Sequence, residues 1–142
     1  MVETEATNQT NGPAMGRTTV LVCVTCRIPN EATDAPRSGM LLAQAAAEAA
    51  SGDSTVRVQR VECLGNCSRG PSAAIRCEHA WTYVFGSLDP TRDGPALVTG
   101  ARLLASSIDG LMPWRGRPEP LKRGLIARVP PVDFRDTDVE RA

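Results

Sequence analysis

Residues 18–26 read Thr18-Thr19-Val20-Leu21-Val22-Cys23-Val24-Thr25-Cys26, a β-branched, apolar run that leads straight into a Cys-x-x-Cys pair. The run has the make-up of a buried strand. Further on, Thr55-Val56-Arg57-Val58-Gln59-Arg60-Val61 alternates apolar and polar residues, the mark of a half-buried strand. It too runs into cysteines, in Cys63-Leu64-Gly65-Asn66-Cys67. Between the two strands, Pro29 and Pro36 bracket a polar loop, and residues 39–50 are rich in Ala, Leu, Met and Glu, which are strong helix formers. Ser38 is the expected N-cap of that helix and Gly52 its expected stop. Strand, helix, strand implies a right-handed parallel crossover. The ends of neighbouring parallel strands lie side by side, so both cysteine loops should leave the sheet at the same carboxyl edge.

Working outward, two shorter strands are expected at Ser72–Arg76 and Trp81–Phe85, with Glu78-His79-Ala80 turning between them. A tight turn pairs them antiparallel. A second helix is expected from about Gly94 to Ser107, capped by Asp93 and with Pro95 in its first turn. Leu97, Ala101, Leu104 and Ile108 fall at helical spacing and should face the core. The fold class is therefore α/β, a mixed four-stranded sheet with two main helices, which is the thioredoxin-like arrangement. Residues 1–16 read as a disordered leader and 17–112 as the metal-binding domain. Residues 113–142 read as a Pro/Arg-rich C-terminal extension whose last residues, from Val132, fray.

Bulk composition narrows the classes of function. The chain has 142 residues, 42% of them hydrophobic and 23% charged, enough for one modest core. Aromatic residues make up only 4%, so that core must be built from aliphatic side chains. The formal net charge is zero, which argues against nucleic acid as a partner, because phosphate neutralisation needs a basic excess. No apolar run is long enough to cross a bilayer. The first sixteen residues carry Glu3 and Glu5 and no basic residue, unlike a secretory signal. A cytoplasmic protein is expected, and there disulfides are uncommon, so five cysteines need another explanation.

Four of them supply it. Cys23, Cys26, Cys63 and Cys67 come from two loops at one edge, and four thiolates in one place make a metal centre. Soft thiolates favour iron–sulfur clusters or zinc over hard cations. A [2Fe–2S] cluster commonly takes four cysteines. Gly65 and Gly70 allow close backbone approach and offer N–H groups to cluster sulfurs. An all-cysteine zinc site also accepts Cys-x-x-Cys, so a zinc-binding module, structural or metal-handling, is the alternative. A third reading is a thiol–disulfide oxidoreductase. It ranks lower, because Arg27-Ile28-Pro29-Asn30 and a loop stand between the Cys-x-x-Cys and the helix that should carry it. A redox sensor that loses its cluster would use the same ligands.

Val61-Glu62-Cys63-Leu64-Gly65-Asn66-Cys67 resembles the second half-motif of the thioredoxin-like [2Fe–2S] ferredoxins and of the small cluster-bearing subunit of respiratory NADH dehydrogenase. The stretch from Thr19 to about Pro131 also resembles a family of small predicted metal-binding proteins. The marks are Val22-Cys23-Val24-Thr25-Cys26-Arg27, the Cys63–Cys67 loop, Trp81-Thr82-Tyr83-Val84-Phe85-Gly86 and Pro113-Trp114-Arg115. The resemblance implies a [2Fe–2S] electron-transfer protein acting with a redox partner protein, and a homodimer. It also implies a link to cobalt or cobalamin metabolism. The first half-motif departs from the ferredoxins, which space their first two cysteines more widely.

The remaining singular residues carry less. Cys77 is expected to be a half-buried thiol without a role, and His79, the only histidine, to be exposed rather than a ligand. Trp81, Tyr83 and Phe85 share one face of a strand, fit for core packing or a subunit interface. Arg115, Arg117, Lys122, Arg123 and Arg128 make a basic stretch, either a solvated extension or a docking surface for an acidic redox partner. No nucleophile–base pair and none of the common catalytic motifs is present, so no catalytic residue is assigned and no enzyme is expected.

Overall fold

A computed structural model of the chain describes residues 18–28, 30–32 and 34–136. The leader expected at 1–16 lies outside the described residues. Strand β1 (Thr18–Cys23) is followed by helix α1 (Ser38–Ala49), strand β2 (Val56–Val61) and a 3-10 turn (Cys67–Arg69). Strands β3 (Ala73–Arg76) and β4 (Thr82–Phe85), helix α2 (Gly94–Ala105), the short helix α3 (Pro120–Arg123) and strand β5 (Leu125–Val129) complete the order.

The strands form one sheet in the order β2-β1-β3-β4-β5. β1 and β2 are parallel, with Cys23 opposite Val61. β3 runs antiparallel to β1, and β4 and β5 follow antiparallel in turn. This is the thioredoxin-like fold read from the sequence, with five strands where four were expected. The fifth comes from the segment set apart as an extension. Its sequence, Leu125-Ile126-Ala127-Arg128-Val129, lies at the sheet edge and is mostly half-buried or exposed. An edge strand carries no clean alternation, so its apolar pattern is hard to see.

One side of the sheet carries the core. Val20, Val22, Ala73, Ile75, Tyr83 and Phe85 point to it and meet Leu42, Ala43, Leu97, Val98, Ala101 and Leu104 from the two helices. Period-two alternation sends Leu21 and Cys23 of β1 and Ala74 of β3 to the other side. Tyr83 and Phe85 are buried there, at 1% and 0% exposure, so they are core residues and not an interface. Ile108, expected in the core, is 99% exposed, because α2 ends at Ala105 and the next residues leave the helical face. Neither expected cap makes a capping hydrogen bond. Ser38 is already the first helical residue and its hydroxyl goes to Glu31, while the Asp93 carboxylate accepts from the Asp89 N–H at 2.7 Å.

The Pro/Arg-rich segment is tied into this body at several points. The Tyr83 hydroxyl accepts from the Met112 N–H at 2.9 Å, and the Arg117 guanidinium donates to the Met112 carbonyl at 2.5 Å while lying over the Tyr83 ring. Leu121 is fully buried against Gly100 of α2. Even Asp133 and Phe134 are held, the first by His79 and the second edge-on to Trp81 at 5.5 Å between centroids. Leu121→Ala should therefore lower the unfolding free energy by roughly 2–5 kcal/mol, the cost of emptying a closed leucine site. Urea denaturation measures it, and a loss under about 1 kcal/mol would show that Leu121 does not anchor the segment to the core.

Candidate metal centre

The parallel pairing of β1 with β2 continues past the strand ends. The Val24 N–H donates to the Val61 carbonyl at 2.9 Å, and the Thr25 hydroxyl to the Glu62 carbonyl at 2.5 Å. The turn that holds Cys23 and Cys26 is thereby laced to the backbone just before Cys63. β3 closes the other flank, where the Cys23 N–H donates to the Ser72 carbonyl at 3.1 Å. From below, α1 presses its first turn against the cysteine turn. The Gly39 N–H donates to the Cys26 carbonyl at 3.0 Å, and a Cβ on Gly39 would lie 2.0 Å from the Cys23 carbonyl oxygen. Only glycine lets the helix come this close.

The first pair of thiols is buried. Cys23 is 1% and Cys26 4% exposed, and their sulfurs are 2.9 Å apart. Cys26 is further enclosed by Gly70, where a Cβ would stand 3.1 Å from its Sγ, and by the Ser72 hydroxyl at 3.7 Å. Burial, reinforced by the neighbouring Cys23, pushes the Cys26 thiol up to about 11. Burial works against the Cys23 thiolate too. There, hydrogen bonds from Cys26 and Thr25 and from the backbone of Thr25 and Leu64 outweigh it, and the net shift is downward.

The second pair is exposed. The Gly65 N–H donates to the Cys63 sulfur at 3.2 Å, as the close glycine backbone predicts. The Gly70 N–H instead goes to the Cys67 carbonyl at 3.4 Å, closing the 3-10 turn, so Gly70 packs against a thiol rather than donating to one. The Cys67 thiol is raised, first by its hydrogen bond with Cys63, then by the charge of Cys63, and also by that of Cys23. The structure thus brings all four sequence-predicted cysteines to one sheet edge as two pairs, one enclosed and one open. Among the described residues, no group of three or more Cys, His, Asp and Glu side chains closes around one metal ion.

The donor set is sulfur alone, with a backbone N–H already on one sulfur. The Asn66 amide nitrogen, between the open cysteines, is buried without a partner among the described residues. A thiophilic group with acceptor sulfurs of its own suits these residues. Ser72 and Thr25 were not picked out from sequence. A lone hydroxyl gives no signal until the sheet register sets it beside a thiol.

Cys77 and His79 lie elsewhere. β3 starts at the cysteine edge and ends at Arg76, so Cys77 sits about 13 Å away, at the opposite edge, by the rise of a four-residue strand. It is no spare ligand. His79 is exposed, and its Nδ1 is 2.8 Å from Asp133, whose carboxylate raises the imidazole above its usual value.

Residues 20–131 match the family described as protein of unknown function DUF1636, and the chain belongs to it. The fold is that of the thioredoxin-like [2Fe–2S] ferredoxins. One such ferredoxin structure from Aquifex aeolicus is 22% identical, with a TM-score of 0.53, and the match covers 84% of this chain and 99% of that one. A wild-type structure of the ferredoxin from the same organism matches at 18% identity and a TM-score of 0.51, over 79% of this chain and 98% of that one. A cysteine-to-serine variant matches at 21% identity, a TM-score of 0.51, and 78% and 98% coverage. No curated protein matches. Among the described residues no helix is long and apolar enough to cross a membrane.

The unequal burial of the pairs has a direct chemical consequence. In the reduced, metal-free protein, iodoacetamide should label Cys63 and Cys67 first and Cys26 last, since a buried thiol held protonated reacts slowly. Peptide mass mapping over time measures the order. Equal rates at all four would mean that the enclosed pair is not enclosed.

Proposed function

We propose that the protein is a one-electron carrier whose [2Fe–2S] cluster is held by Cys23, Cys26, Cys63 and Cys67. The observation that carries this reading is the meeting of two thiol pairs at one sheet edge, one buried and one open. A binuclear group with two ligands per iron suits two pairs better than a single ion does. When bound, such a cluster supplies reversible one-electron chemistry. The chain's own contribution is distinct. Cys23 and Cys26 hold their side of the group away from water, the Gly65 N–H stabilises charge at the Cys63 sulfur, and the lacing through Thr25 and Val24 keeps the two loops in register. The open pair leaves a face through which an electron can reach a partner protein in the cytoplasm. No residue of the chain is assigned a catalytic role.

Protein purified without oxygen should be brown, bleach with dithionite, and contain about two irons and two acid-labile sulfides per chain. Serine at Cys63 or Cys67 should lower the iron content or change the visible spectrum, while Cys77→Ser should leave both intact. Colourless protein with about one zinc and no sulfide would overturn the reading in favour of a zinc module.

The working unit we propose is a homodimer. This rests on the resemblance to the thioredoxin-like ferredoxins; on the sheet face away from the two main helices, Leu21 and Ala74 are buried within the chain and Val84 is half-buried. Sedimentation equilibrium should give twice the chain mass of 15.1 kDa. A monomer at tens of micromolar would remove the dimer.

A further inference from the structure

We propose that α3 and its neighbours, close to the loop of Cys63 and Cys67, carry a cationic docking surface, anchored by Trp114 and formed by Arg69, Arg115, Lys122 and Arg123, that fits the acidic face of an electron-transfer protein. This rests on the electron-carrier reading and adds to it where the partner sits and what its charge is.

The placement follows from the backbone around Gly86. Its N–H donates to the Gly124 carbonyl at 2.9 Å, and the next N–H, of Ser87, donates to the Arg69 carbonyl at 2.5 Å. A Cβ on Gly86 would touch both Ile126 and the Asn66 amide, at 2.6 and 2.8 Å. The loop of Cys63 and Cys67 and the end of α3 are therefore separated by a single glycine. α3, which carries Lys122 and Arg123, therefore ends next to Asn66 of the loop that carries the open thiols, although more than fifty residues of chain lie between them.

Trp114 is 62% exposed and held in place from two sides. The Lys122 ammonium is 4.8 Å from its ring centroid and the Arg117 guanidinium 5.2 Å. A large exposed aromatic that is already ordered loses little freedom on binding, which is why tryptophan dominates many interfaces. Its cationic neighbours make an uncharged or basic partner face a poor match.

Not every basic residue of this stretch takes part. Arg117 is 9% exposed, and its guanidinium is committed to Tyr83 and to the Met112 and Pro113 carbonyls. Arg128 lies over Trp81, toward the other end of the sheet. Arg69, Arg115, Lys122 and Arg123 form no ion pair among the described residues. The acids of the cysteine turn do not cancel them. Glu31 is taken up by Arg27, Ser38 and the Ile28 N–H, and the Asp89 carboxylate accepts from the Thr91 N–H and hydroxyl, while Glu62 and Glu119 are also near. Unpaired cations gathered in one patch draw an acidic partner to that patch during approach.

The test uses an acidic flavodoxin as the probe, with binding followed by microscale thermophoresis at low and at physiological salt. Iron and sulfide are assayed on the same samples. Binding should weaken as salt rises. Lys122→Glu with Arg123→Glu should weaken it roughly tenfold at low salt, and Trp114→Ala should weaken it at both salts. Arg57→Glu with Arg76→Glu makes the same charge change at the far end of the sheet and should leave binding within about twofold. Equal losses in the two double variants, or no binding by the parent protein, would overturn the proposal. So would tighter binding of a short DNA duplex, because that points to a nucleic acid. The readout needs no electron transfer, so a zinc-bearing sample that binds the probe would sink the carrier reading and keep the surface. An iron-bearing sample that fails to bind would do the reverse.

Discussion

The parallel pairing of β1 with β2 is the constraint on which everything else depends. It sets Cys23 opposite Val61, so that two cysteine loops far apart in the chain start from neighbouring strand ends. Parallel pairing requires a crossover, and α1 provides it. The crossover works here only because Gly39 lets the helix begin against the Cys23 carbonyl. The hydrogen bonds from Val24 and Thr25 to residues 61 and 62 then extend the ladder into the loops. A slip of one residue in this register would turn Cys23 toward the helices and break the site.

The two thiol pairs differ because the sheet encloses them differently. β1 is an inner strand, flanked by β2 and β3, and whatever follows it is walled in by Ser72 and Gly70. β2 is an edge strand, so its loop is open on one side. Burial raises the Cys26 thiol, while the exposed Cys67 responds mainly to its neighbour Cys63. One topology thus yields an insulated side and an accessible side.

The C-terminal segment carries a second lesson. Proline and arginine suggested a solvated extension, yet Arg117 is buried, Leu121 is fully enclosed and residues 125–129 complete the sheet. A buried arginine is affordable when its donors meet carbonyls and its face meets rings, and Met112, Pro113, Tyr83 and Trp114 supply both. None of those partners is visible from the composition of the segment itself. The strand escaped notice for a related reason, since it pairs on one side only and buries little.

From sequence alone, the four cysteines, the strands that deliver them and the parallel crossover between those strands were legible. Each leaves a local signal, in periodicity, helix propensity or the spacing of a soft ligand. Tyr83 and Phe85 left two readings open, core or interface, and their burial decides for the core. What tertiary structure alone decided was which thiol is buried, which backbone N–H reaches a sulfur, and which basic residues are drawn into the body. Those outcomes depend on contacts between segments distant in the chain, such as Gly86 with Asn66 and Gly124, or Arg117 with Tyr83. Local sequence carries no term for such contacts. Burial and electrostatics are properties of the packed whole.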